Sequence, residues 1–522
     1  MLPALIWGTW ISDSFVNNLA WTEGVSVEMQ RGAFYPRWLS TGFDGFGSPS
    51  FYFYPPLPFL FTGAAAAFFH PQLSFATIIQ FYAFVVMVAS GWSMYFWLKH
   101  FVQQRFALLG GLIYMAMPYH LTDHYTRGAL GEFTTYAIIP LLMVCIHSMA
   151  GPGRRNVAYF AIIYSSLVLA HLPTAVLVTF FLVPPFSLWT AAHAPKPVLV
   201  LVKIASGGIL GAALSAAYLM PALSLQSFIS SGRLWESRFQ PEFWFLNNIN
   251  EIDDLKIVVT LLIYILLLLT LMVYWMRVKK RASIEIRDAS FFFLVAIAIL
   301  ALILGLVPWV WQFPVLAKVQ FPWRALVLVD FLSVSAFVIC FQNWRQARNF
   351  ISLAVLFLVF AVVSVTNGAY IKRYITIGVE RASQNLVVAR EPLEYLGPGC
   401  AKPDSNSRFE AILIPANAGE VSVYWKERAL IVDISTSKPA QIILPQHYFP
   451  SWELIASSGT IPAITQTGGY CLVSFEAPPG ISRFTLRQKI LSPERIGWLV
   501  SVGSFLQVII IIIFGRPKKT KP

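Results

Sequence analysis

The chain has 522 residues, of which 57% are hydrophobic and only 12% charged, with a net charge of +13 and a mean hydropathy of +0.64. A soluble globular protein carries about 25% charged residues, so the composition excludes that class and implies a polytopic membrane protein. Much of the positive surplus lies in short connections between apolar runs, with no nucleic-acid motif beside it, so it reads as orientation and excludes nucleic acid as a partner.

Residues 1–11 are apolar but far fewer than the roughly 20 a spanning helix needs. They also lack the charged start and small-residue cleavage site of a signal peptide, so they read as the end of a first helix whose start is missing, with a genuinely short first helix as the alternative. Asp13 follows at once, close to the membrane face. A carboxylate there suits a general base for an acceptor hydroxyl or a metal ligand, and a helix N-cap is the plainer alternative. The same loop offers Glu23, Arg37 and Asp44, and Arg37 beside Trp38 equally suits an interfacial anchor. Residues 51–69 are apolar enough to cross, but their paired prolines and aromatic start suit a helix lying in the interface or re-entering from one side.

Later apolar windows fall near 76–97, 106–120, 133–150, 157–172, 173–192, 198–220, 256–276, 289–310, 325–343, 350–367 and 496–515. With the N-terminal stub they make about twelve transmembrane helices. The short connections 99–105, 151–155, 277–287, 343–348 and 516–521 are basic, and all fall on one side if each window crosses once. That side is cytoplasmic. Counting 51–69 as a crossing would reverse every later loop, so it is read as non-spanning.

The other side collects the unusual residues. The connection 118–133, PYHLTDHYTRGALGEF, packs His120, Asp123, His124, Arg127 and Glu132 between two apolar runs, and ionisable groups beside hydrocarbon usually persist for work. Arg127 and Glu132 flank two glycines and suit either a ligand site or an ion pair capping the next helix. His120, Asp123 and His124, with Asp13, are weak candidates for a divalent metal ion, the one cofactor considered. His171 ends one helix just before Pro173, either as a satisfied helix-end histidine or as a hydroxyl or phosphate contact. The loop 221–255 adds Arg233, Glu236 and Arg238 among aromatics, as in a sugar or headgroup-binding flap or an ordered solvated loop. In 311–324, Lys318 and Arg324 lie on the side that basic residues avoid, and an arginine's planar fork suits phosphate there. Asp330 follows less than two turns deeper, within reach of a nearby cation.

Residues 368–495 alternate apolar and polar in short runs broken by Gly, Pro and Ser, which predicts a small β-sandwich. Cys400 and Cys471 lie in this segment and can pair if it is extracytoplasmic, whereas Cys145 and Cys340 lie in apolar spans as packing residues. The chain contains no Walker, Rossmann, HExxH, GxSxG or CxxC pattern.

RGAFYPRW, FGSPSFYFYPPLPF, HYTRGALGEF, AHLPTA and VQFPWRAL occur in that order. They resemble the polytopic membrane proteins labelled 6-pyruvoyl-tetrahydropterin synthase-related, which look like members of the GT-C superfamily of integral membrane glycosyltransferases. QHYFPSWELIASSG and PPGISRFTL are similar to the extracytoplasmic domain that ends some of these proteins. The label's pterin chemistry has no counterpart here, since that enzyme is soluble and uses a zinc site.

The resemblance implies a GT-C-like transmembrane domain over 1–367 with interfacial helices in a first loop over 12–75. An extracytoplasmic β-rich domain over 368–495 and a final helix with a basic tail over 496–522 would follow, in the inner or plasma membrane of a bacterium. It further implies transfer of a sugar from a polyprenyl-phosphate carrier to a glycan, lipid or protein acceptor of the cell envelope. Asp13 takes the base position, with Glu132 in support. Arg127, Arg324 and Lys318 would bind the carrier phosphate, and Arg37, Asp44, His171, Arg233 and Arg238 lie among the substrate-binding candidates. Relatives often carry an Asp followed by a His near the first loop's start; here Asn17 and Asn18 occupy the latter region. The rival readings are a transporter or flippase for a lipid-linked or anionic solute, and a non-catalytic assembly protein that kept the fold. Transporters place ionisable residues near the bilayer midplane and often show inverted repeats, whereas this chain gathers them at one face and shows no repeat.

Overall fold

The computed structural model describes residues 12–245, 284–345, 391–402, 410–457 and 461–515. The apolar windows 256–276 and 350–367, the N-terminal stub, and most of the basic connections 277–287 and 516–521 lie outside these residues, as does the expected boundary at 367/368.

In chain order the main helices are α1 (Phe15–Gln30), α2 (Leu57–Phe69), α3 (Phe75–Leu98), α4 (Gln104–Met115), α5 (Leu130–Ser148), α6 (Arg155–Ala170), α7 (Leu172–Phe181), α8 (Val183–Ala192), α9 (Pro197–Leu214), α10 (Ala216–Ser224), α11 (Ile284–Ile303), α12 (Leu326–Arg345) and α13 (Ser492–Phe514). Among the described residues, six stretches are long and apolar enough to cross a membrane: Phe75–Leu98, Leu130–Ser148, Leu172–Ala192, Pro197–Leu214, Pro322–Gln342 and Ser492–Phe514. They are consistent with membrane insertion.

Local chemistry sets the helix ends. Ser74 caps α3 by accepting from the Thr77 amide at 3.1 Å. α2 has 13 residues and rises about 20 Å, too short to cross a hydrocarbon core of about 30 Å unaided. The window at 106–120 yields only the 12 residues of α4. Pro118 pushes Met117 into extended backbone, so the helix stops early and a new turn begins at the proline. The window at 198–220 likewise breaks at Ser215, between α9 and α10.

α12 lies at the centre, with Val327 through Cys340 buried and the Trp97 indole of α3 donating to Ser335 Oγ at 2.9 Å. α3 and α4 approach through glycine: a Cβ on Gly111 would stand 2.6 Å from the Gly91 carbonyl oxygen. At the basic end, the Gln103 amide donates to Gln342 Oε1 at 2.7 Å and the Arg154 amide to the Gly515 carbonyl at 3.2 Å. Pairs of basic connections therefore adjoin.

The C-terminal region forms two four-stranded antiparallel sheets from β1 (Ile412–Ile414), β2 (Gly419–Lys426), β3 (Ala429–Thr436), β4 (Ala440–His447), β5 (Trp452–Ala456), β6 (Thr465–Thr467), β7 (Leu472–Ala477) and β8 (Gly480–Gln488), ordered β1-β4-β7-β6 and β2-β3-β8-β5. Period-two alternation buries Leu430, Val432 and Ile434 of β3 while Asp433 turns outward, and these side chains share one core with Ile442, Phe475 and Phe484. Cys400 and Cys471 are joined in a disulfide, and Cys145 and Cys340 are free and buried.

The β region grips the first loop. The His447 amide donates to the Phe46 carbonyl at 2.7 Å, its Nδ1 to Gly47 at 2.9 Å, and Gln446 Nε2 to Gly45 at 2.9 Å. Arg37 pins the same loop to α13, with Nε 3.0 Å from Glu494 Oε1 and Nη2 donating to the Ala217 carbonyl at 2.7 Å.

Candidate functional site

The connection between α4 and α5 folds as a helical turn, Pro118–Thr122, then a π-helical turn, Asp123–Arg127. Gly128 ends it in the left-handed region at φ 59°, where a side chain would be strained and would strike Ser12 Oγ. The Ala129 amide returns to the Asp123 carbonyl at 3.1 Å, and α5 starts at Leu130. This tight reversal brings Tyr119, Asp123, Arg127 and Glu132 together.

Glu132 is fully buried at its centre. The Tyr119 hydroxyl donates to Glu132 Oε1 at 2.6 Å, and Arg127 Nη1 lies 2.8 Å from Oε2. The same Arg127 nitrogen donates to Asp123 Oδ1 at 2.6 Å and to the Tyr119 hydroxyl at 2.9 Å. From the far side, Arg324 brings its Nε to 3.5 Å from Glu132 Oε2, steadied by a bond from Nη1 to the Val319 carbonyl at 2.8 Å. Each guanidinium faces an aromatic ring, Arg127 over Trp323 at 4.4 Å and Arg324 over Phe321 at 4.7 Å. Burial, reinforced by the Glu132 charge, pushes the Asp123 carboxyl well above its ordinary range against the pull of Arg127. Arg127 and Arg324 thus converge beside Glu132, with Arg127 also meeting Asp123, and planar guanidinium groups side by side suit a phosphate.

Asp13 joins this group through main chain. Its amide donates to the Thr126 carbonyl at 3.0 Å and the Ser14 amide to Arg127 at 2.8 Å, while Asn18 Nδ2 holds the Gly128 carbonyl at 2.7 Å. The Asp13 residue itself is exposed. His171 also lies close: a side chain on Gly131 would stand 3.5 Å from its ring, and its Nδ1 bonds Thr174 Oγ1 at 2.8 Å.

Other sequence candidates lie apart from this cluster. Arg37 is taken up by Glu494 and Ala217 as described. Asp44 is 3.9 Å from Lys402, in backbone at φ 59°. Lys318 and Arg233 are exposed, the former with Nζ 5.7 Å over Trp235, and Arg238 is 71% exposed beside Glu236. Asp330 accepts from the Tyr136 hydroxyl at 2.8 Å.

The metal candidates do not converge. Among the described residues, no three His, Cys, Asp or Glu side chains form a group able to hold a metal ion. His120 lies flat on Tyr136 at 3.7 Å with Nδ1 toward the Tyr114 carbonyl, His124 packs on Phe133, and Asp123 faces Arg127.

Sequence reasoning missed Tyr119, Trp323, Tyr54 and Glu391. Tyr119 and Trp323 stand inside PYHLTDHYTRGALGEF and VQFPWRAL, where nothing in the sequence marks an uncharged aromatic as the partner of an ionisable neighbour. Glu391 accepts on Oε2 from Trp21 Nε1 at 2.9 Å and Ser50 Oγ at 2.8 Å, and burial raises its carboxyl to about 7. Nothing in its sequence neighbourhood separates it from a solvated glutamate.

No protein-family model matches the chain, and no curated protein matches it either.

Proposed function

We propose that this chain is an integral membrane glycosyltransferase of GT-C type that moves a sugar from a polyprenyl-phosphate carrier to an extracytoplasmic acceptor. The observation that carries this reading is the meeting of Arg127 and Arg324 on the buried Glu132, with Asp13 tied beside Arg127 by main-chain hydrogen bonds. In this reading the two guanidinium groups hold the carrier phosphate and Glu132 fixes their spacing. Asp13 takes the proton of an acceptor hydroxyl, whose oxygen attacks the anomeric carbon. The bond from that carbon to the phosphate oxygen breaks, and polyprenyl phosphate leaves with its charge stabilised by the arginines. The same reading has about twelve transmembrane helices, basic loops in the cytoplasm and a β-sandwich outside that covers the site or binds acceptor.

Mass spectrometry of surface glycans tests it. Deleting the gene should remove a glycosyl unit, wild type should restore it, and Asp13→Asn should fail to restore it while folding normally. Full restoration by Asp13→Asn overturns the assignment.

A transporter is the second reading, favoured by Asp330, fully buried inside the apolar stretch Pro322–Gln342 and bonded to Tyr136, on which His120 stacks. Loss of solute uptake in Asp330→Asn with surface glycans intact would support it.

A further inference from the structure

Tyr54 stands between the helical turn Ser50–Phe53 and α2, in extended backbone just before Pro55 and Pro56. Its amide is taken by the Ser50 carbonyl at 2.8 Å. One face of its ring is fixed by Trp21, whose centroid lies 4.4 Å away, with Phe59 at 5.8 Å. These contacts hold the side chain in a single direction. The hydroxyl comes within 3.6 Å of the point where a Cβ on Gly131 would stand, one residue before Glu132.

The glycine has its own explanation, because a Cβ there would also stand 2.6 Å from the Ala170 carbonyl oxygen. The hydroxyl does not. Three other tyrosines around the same end are used: Tyr119 on Glu132, Tyr82 on Thr134 Oγ1 at 3.0 Å, and Tyr136 on Asp330. Among the described residues, the Tyr54 hydroxyl makes no hydrogen bond with the protein. The charges of Arg324, Glu132, Arg127 and Asp123 nevertheless all act on it. Burial pushes its proton affinity up to about 12, so it remains a neutral O–H donor at physiological pH. A donor held rigidly by aromatic packing, uncommitted, and set beside Gly131, one residue from Glu132, is placed to meet an anion drawn to the two guanidinium groups on that carboxylate.

We propose that the Tyr54 hydroxyl contacts the ligand of this site, donating a hydrogen bond to the phosphate group held by Arg127 and Arg324. The inference rests on the phosphate reading of the cluster. The first loop then supplies a ligand contact as well as a base, and the site closes only when the tilted Trp21–Tyr54 contact is in place. The same chemistry serves a lipid-linked phosphate or a free one.

Binding of farnesyl phosphate and of inorganic phosphate to the full-length protein in detergent separates the possibilities. Wild type should bind, Arg324→Gln should lose binding, and Tyr54→Phe should weaken it roughly tenfold or more, the effect of one hydrogen bond to a charged group. Thermal unfolding of Tyr54→Phe should match wild type because the ring contacts remain, and Tyr82→Phe should leave affinity unchanged. Tighter binding of farnesyl phosphate assigns the contact to a lipid carrier; equal binding assigns it to free phosphate. Wild-type affinity in Tyr54→Phe overturns the inference and leaves the cluster's phosphate reading standing. Failure of wild type to bind either probe overturns that reading, and the Tyr54 contact with it.

Discussion

Arg324 Nε and Arg127 Nη1 share one oxygen, Glu132 Oε2, at 3.5 Å and 2.8 Å, so a single buried carboxylate organises two guanidinium groups. Replacing Glu132 by Gln takes the carboxylate from Arg324 and leaves Arg127 with Asp123, in a site that is nearly closed to water. Breaking a buried pair this way costs about 3–5 kcal/mol. Thermal unfolding in detergent should show that loss, and Arg127→Gln should cost much less in the Glu132→Gln background than in wild type. Simple additivity of the two changes would sink the account of a shared anchor.

Glu391 gives the fold a pH dependence of unusual sign. Its carboxyl rises from 4.5 to about 7 when the first loop and the 391–402 segment are packed, so the folded state holds a proton that the unfolded chain releases. The stabilisation is fully present below pH 4.5 and is lost as pH rises through about 7, amounting to about 3 kcal/mol. Burial lowers His447 in the same interface, so its contribution is lost on the acid side instead. Glu391→Gln should flatten the fall between pH 4.5 and about 7 and raise the melting temperature above that range. An unchanged alkaline limb in that variant would remove Glu391 as its cause.

Cys400 and Cys471 close a separation of 71 residues. In the chain-entropy account, a loop of that size is worth about 4 kcal/mol. Reduction, or a Cys400→Ser with Cys471→Ser pair, should lower the melting temperature of the β region, and alkylation followed by mass spectrometry should find two new reactive thiols only after reduction. Four free thiols before reduction would contradict the pairing.

Arg37 and Glu494 are both buried, and their pair fastens the first loop to α13. Phe34, three residues earlier, is 87% exposed and offers a protease a cleavage site. Arg37→Leu should speed chymotryptic cleavage there about tenfold, with an exchanged Arg37→Glu, Glu494→Arg pair restoring part of the protection. Equal cleavage rates in all three proteins would show that the pair does not hold the loop.

The apolar periodicity made the helices legible because hydrocarbon leaves a spanning backbone few alternatives. The β region was legible for a similar reason, since its strands alternate with period two, as Leu430, Val432 and Ile434 do. Half of the site could also be read in advance: a lone arginine at 324 and an Arg–Glu pair at 127 and 132 are costly near lipid and need partners. What sequence left open was which partners. Arg37 carried the same signal as Arg324, yet it meets Glu494, which begins the last helix, while Arg324 meets the cluster. Tyr54 and Glu391 had no signal of their own, because an aromatic in a Tyr/Phe run and a glutamate before a proline gain meaning only from long-range packing.

The contact between Gly47 and His447 spans 400 residues of chain. At a synthesis rate of about 5–20 residues per second, His447 emerges roughly 20–80 s after Gly47. The first loop therefore stays ungripped, its glycine-rich turn free of the β region, until 400 further residues have been made. Throughout that interval it is a nascent segment open to proteases and helper proteins, so the first loop reaches its final packing only after His447 has been made.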